Sequence, residues 1–134
     1  MGIEAFNGST IKDCTATANK GDGIHVPNDS LVAGNTGDSN GNGTGGDGAG
    51  IHATSSDNRI EGNNVTDNDR GIDVDSGNVI IKNSAGGNTT NYAIAANNVY
   101  GAIVDRTAPA SAAVTGNSGA ASAGTLDPWA NIAY

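Results

Sequence analysis

The chain has 134 residues, with 21 Gly, 4% aromatic and 15% charged residues, and a formal net charge of −8. That length suits one domain; low charge with many turn formers argues against a helical bundle, and evenly recurring Ile and Val argue against disorder. The acidic balance disfavours nucleic acid and anionic membranes as partners, and no apolar run approaches the ~18–20 residues that a membrane span needs.

Four copies of one unit open at Gly2-Ile3, Gly23-Ile24, Gly50-Ile51 and Gly71-Ile72, and Ala93-Ile94 opens a degenerate fifth. The spacings are 21, 27, 21 and 22 residues, a period that marks a repeat architecture. In the first copy Ile3 and Ala5 alternate with Glu4 and Phe6, the signature of a short strand with one buried face. Asn7-Gly8-Ser9 marks a turn, and Ile11 starts a second apolar step. In the second copy Ile24 and Val26 face inward, His25 and Pro27 outward, and Leu31 or Val32 supplies the next buried step. Its extra length is placed in a Gly-rich loop insertion over 37–48.

Two asparagine columns run through the copies. Asn35, Asn63 and Asn83 follow their isoleucines by 11 or 12 residues, with Cys14 in the same place, and Asn19, Asn40, Asn68 and Asn88 follow that first column by five. Asparagine tolerates the left-handed conformation of a sharp bend, and its amide both donates and accepts, so stacked bends bond to one another along a ladder. Cys14 is expected to end that ladder as a small buried thiol.

After Val104 the repeat fades. An Ala/Ser/Gly-rich stretch leads to DPWANIAY, so residues 1–104 are read as coils and 105–134 as a tail that packs on and covers the last coil. The first coil has no such cover, which suggests either a piece of a longer stack or a docking face for end-to-end self-association. Residues 1–20 lack a charged-then-apolar export signal, and the single Cys14 excludes an intramolecular disulfide.

Three short strands per coil with Asn at the bends predict an all-β, single-stranded, right-handed parallel β-helix of about five coils. The units GIHATSSDNRIEGNNVTDN and GIDVDSGNVIIKNSAGGN resemble repeats of the pectate-lyase-like superfamily, closest to bacterial right-handed β-helix repeat proteins. That resemblance implies polysaccharide-acting lyases, hydrolases or epimerases working along the groove beside one outward sheet. It fixes the fold and leaves function to particular side chains.

The outward column of the first strand is read as Glu4, His25, His52, Asp73 and then Ala95, with Pro27, Thr54 and Asp75 beside it. A His next to a carboxylate serves as a general base or as half of a metal site, and Asp73 with Asp75 are the candidate Ca²⁺ ligands. No Arg or Lys is expected on this face to mark a lyase base. Phe6, Tyr92 and Tyr100 are candidates for stacking on sugar rings or for patching a coil edge, and Thr15, Thr36, Asn64 and Ser84 form a hydroxyl row too broken for ice binding. The expectation is a module with no resident cofactor and no catalysis, extracellular or on a cell or virion surface, whose partner is a polysaccharide or a neighbouring chain. The alternatives are a polysaccharide lyase, hydrolase or epimerase using His25, His52, Asp73 and Asp75, and a self-associating solenoid that forms filaments.

Overall fold

The computed structural model describes residues 1–42, 48–106 and 127–134, none of them helical. The first two coils hold β1 (Ile3–Glu4), β2 (Thr10–Lys12), β3 (Thr15–Thr17), β4 (Ile24–Val26), β5 (Leu31–Ala33) and β6 (Thr36–Asp38). The third and fourth hold β7 (Ala49–Ala53), β8 (Arg59–Glu61), β9 (Asn64–Thr66), β10 (Arg70–Val74), β11 (Val79–Ile81) and β12 (Ser84–Gly86). The last coil supplies β13 (Thr90–Ile94), β14 (Val99–Tyr100) and β15 (Ile103–Asp105), and β16 (Asn131–Ala133) follows.

Every third strand stacks in parallel on its counterpart, giving three sheets ordered β1-β4-β7-β10-β13, β2-β5-β8-β11-β14 and β3-β6-β9-β12-β16-β15. Inside the tube, Ile3, Ile24, Ile51, Ile72 and Tyr92 form one row, and Ile11, Val32, Ile60 and Ile80 another, with the exposed Tyr100 in register with Ile80 at the end of the stack. The third row, Ala16, Gly37, Val65, Ala85 and Ala133, is small because the third sheet lies against the Gly-Ile corner of the first. A Cβ on Gly50 would stand 2.9 Å from the Val65 side chain and 2.8 Å from the Asn68 amide nitrogen. The recurring glycine is therefore a close-approach requirement of the stack.

The bends follow a common rule. Among the described residues, thirteen of the fourteen in the left-handed region, all but Gly41, immediately precede a residue whose own side chain or N–H joins a vertical ladder, among them Asp13, Gly34, Gly62 and Lys82 before Cys14, Asn35, Asn63 and Asn83. The asparagine thus follows the left-handed residue instead of adopting that conformation itself. Its Oδ1 accepts the backbone N–H and the amide N–H of the asparagine one coil earlier, as Asn63 does from Asn35 at 2.9 and 3.0 Å. Both expected columns form such ladders, and Cys14, half-buried, ends the first by donating its N–H to Asn35 Oδ1 at 3.0 Å.

Several local expectations change. A third ladder, Ser30, Asn58, Asn78 and Asn98, turns the chain between the first and second sheets. Val32, not Leu31, is the fully buried step of the second copy. Strand β6 and Asn40 occupy the start of the expected 37–48 insertion, so the chain leaves the coil only after Asn40; residues 43–47 lie outside the described residues, as do 107–126 of the tail. Residues 127–134 pack on the last coil as a strand of the third sheet. Strand β16 enters the third sheet between β12 and β15, and Asn131 continues the first ladder from Asn83.

Candidate functional site

Strand alternation projects Glu4, His25, His52 and Asp73 outward from the first sheet in consecutive register. The next member of the column is Ala93, which corrects the expected Ala95. The last coil aligns through Tyr92 in the isoleucine row, two residues earlier than Ala93-Ile94 suggests. Tyr92 is therefore drawn inward, its hydroxyl 2.9 Å from the carbonyl oxygens of Asn83 and Ile132, and burial raises its pKa. It is not available to a sugar ring.

His52 is the centre of the face. Asp22, buried at the bend before β4, accepts the Ala49 N–H through Oδ1 (2.8 Å) and lies 3.1 Å from His52 Nδ1 through Oδ2. An ionised carboxylate only accepts, so that contact places the proton on Nδ1 and leaves Nε2 facing outward. Nε2 stands 3.8 Å from Asp73 Oδ2, which Arg70 Nε approaches at 3.1 Å. The hydrogen bond to Asp22 raises the His52 pKa; burial opposes it, and the charges of Asp22, Asp73 and Asp75 add to it. For Asp22 burial pushes the carboxyl upward, but the bonds from His52 and Ala49 outweigh it and hold the group below its ordinary value.

Arg70 overturns the expectation that no Arg or Lys reaches this face. Both Asp22 and Arg70 immediately precede a Gly-Ile step, and that placement was the available signal: a charged residue at the entry to a coil, one bend away from the outward column. His25 packs edge-to-face on His52 with ring centroids 5.5 Å apart. Its Nε2 is 3.4 Å from Thr54 Oγ1, and its Nδ1 is buried without a hydrogen-bond partner. Glu4 stands exposed at the β1 edge.

Asp75 points into an open groove of about 550 Å³ beside this face, lined by Thr54, Ser55, Ser56, Asp75, Ser76, Ala95, Ala96 and Asn97. Among the described residues, no group of three or more His, Cys, Asp or Glu is arranged to hold a metal ion. The candidate Ca²⁺ ligands Asp73 and Asp75 are separated in role, since Asp73 is engaged by Arg70 and Asp75 faces the groove. On the third sheet Thr15, Thr36, Asn64 and Ser84 do align, and the row continues into Ile132. Phe6 and Tyr100 are exposed at opposite ends of the stack.

Parallel strands repeated in three sheets, with one bend ladder along each corner, define a right-handed parallel β-helix solenoid. The family described as the right-handed beta helix region matches residues 1–121, and the chain belongs to it. No curated protein and no solved structure matches the chain.

Proposed function

We propose that this β-helix is a non-catalytic glycan-binding module of a larger extracellular or surface assembly, with the groove beside the first sheet as its binding surface. The observation that carries this reading is the groove itself. Hydroxyls of Thr54, Ser55, Ser56 and Ser76, the Asp75 carboxylate and the Asn97 amide line it across three successive coils. Coils repeat every ~4.8 Å, so equivalent donors and acceptors recur along the stack as the hydroxyls of a linear polysaccharide recur along its chain. The neighbouring ionisable groups are largely engaged with one another, Asp22 with His52 and Asp73 with Arg70.

The test is calorimetric titration of the full chain with soluble oligosaccharides. Asp75→Ala is expected to weaken binding about tenfold, the scale of one charge-assisted hydrogen bond, with an unchanged circular dichroism spectrum. Turnover of pectin, alginate or related polymers by the chain would sink the non-catalytic reading.

One arrangement favours a second reading, a polysaccharide lyase, hydrolase or epimerase. Asp22 holds His52 in one tautomer, with Nε2 facing outward near Arg70 and Asp73, which is how an imidazole is positioned for general acid–base work. Under this reading His52→Ala abolishes turnover while the fold is retained, whereas a glycan bound by the unaltered chain without any product, and bound equally well by His52→Ala, argues for the binding module.

A further inference from the structure

In the second, third and fourth coils the third strand stacks directly on that of the coil before it, but the fifth breaks the pattern. Strand β15 lies one layer beyond its place, and β16 fills the gap between β12 and β15. The segment that fills it arrives after 20 intervening residues, 107–126. The fit is nevertheless complete. The Ile132 and Tyr134 N–H groups donate to Asn83 and Ala85 on one side (2.8 and 2.9 Å), and the Asn131 N–H donates to Ala102 on the other (2.7 Å). Fully buried Asn131 accepts the Asn83 N–H at 3.0 Å and donates to Gly101 O at 3.0 Å, so the ladder runs through the inserted strand without interruption.

The ends of the segment are anchored by side chains at the surface. Trp129 lies under the Lys82 ammonium, 4.3 Å from the ring centroid, and its carbonyl sits where a Cβ on Gly101 would be. The Tyr134 ring covers Gly86 in the same way, and its hydroxyl donates to Asn64 Oδ1 at 3.0 Å. The gap is therefore a recognition site for an extended peptide with an aromatic residue at each end and an asparagine between them, and that peptide is Trp129–Tyr134.

We infer that this slot accepts the same segment from a second copy of the chain, so that two chains exchange residues 127–134. This goes beyond the glycan reading and does not depend on it. Exchange preserves every hydrogen bond and ring contact named above, because donor and slot are identical in both arrangements. Twenty residues reach at most ~72 Å when extended, so the sequence separation leaves room for a neighbouring slot. The remaining edges of the stack need not meet, which distinguishes this contact from end-to-end stacking and closes it as a dimer.

The test mixes ¹⁵N-labelled and unlabelled full-length chains, unfolds and refolds them together at high concentration, and reads the products by native mass spectrometry. Mixed dimers are expected, and a saturating excess of the peptide Asp127–Tyr134 present during refolding should lower them about tenfold by occupying the slots. The same peptide carrying Asn131→Ala should not. Gly86→Val, which fills the seat of the Tyr134 ring, should abolish the dimer; if that variant does not fold, the peptide competition on the unaltered chain decides. Monomers alone at every concentration, or dimers indifferent to the peptide, overturn the inference.

Discussion

Asn63 donates its side-chain N–H groups to Val32 O (2.9 Å) and Asn83 Oδ1 (3.0 Å) while its Oδ1 accepts two N–H groups of Asn35. Replacing it with alanine strands the Asn35 backbone N–H and the Val32 carbonyl in a fully buried corner. At ~1–3 kcal/mol for each buried group left unpaired, Asn63→Ala should cost about 3 kcal/mol in urea denaturation. The other residue-scale effect is electrostatic. The bond to Asp22 raises the His52 pKa above 6.5, so its contribution to stability is complete below that value and is lost as pH rises through the higher native one. Asp22 is held below 3.8, so its contribution is present above that value and is lost as pH falls through the lower native one. Melting temperature should therefore be highest in mildly acidic buffer and fall toward alkaline pH. His52→Gln should flatten the alkaline side of that profile and weaken the acid side as well, because Asp22 then loses the imidazolium that holds its carboxyl down.

The elements are too short to hold themselves together: most strands have three residues, and their ends are set by the left-handed bends. Gly62 isolates what such a bend costs, because its φ is +62° and a Cβ there meets nothing within 4 Å. Gly62→Ala should then destabilise by about 0.5 kcal/mol, the left-handed penalty less the chain entropy that alanine spares. Ala18 already bears that penalty at φ 56°, and Ala18→Gly should stabilise by about 0.5 kcal/mol after the extra chain entropy of glycine is subtracted. Bends of this kind explain what could be read in advance. The isoleucine row and two asparagine columns were legible because each carries its own residue type at a constant offset. The third ladder was obscured because Ser30 stands in its column and the copies differ in length before it. The place of Tyr92 in the inner row was hidden, and the residue was read as a sugar-stacking or edge-patching candidate, because an aromatic residue replaced the repeating isoleucine at a coil where the spacing also shifted. Of the site, the outward column was legible from strand alternation, whereas Asp22 and Arg70 reach it from bends that alternation does not describe.

At the scale of the whole molecule each coil touches only its neighbours, so stability is a sum of coil terms and interfaces between coils. The interfaces are unequal. Ile24, Ile51 and Ile72 are fully buried with a coil on either side, whereas Ile3 in the first coil and Tyr92 and Ile94 in the last are only partly covered. Ile51→Ala should cost about 4 kcal/mol, and Ile3→Ala about 1 kcal/mol, because a half-covered site loses less apolar burial and leaves no closed cavity. Hydrogen exchange should rank the strands in the same order. Amides of β5, β8 and β11 should exchange only through global opening, while those of β1, β2 and β14 open locally and exchange faster. The third sheet provides the internal control. Its β12 is flanked by β9 and β16, so β12 should be as protected as β9, although it lies in the fourth coil beside the frayed end. Filling the slot with β16 makes the third corner one layer longer than the other two. If β12 exchanged as fast as β14, the inserted strand would contribute no stability to the corner it completes.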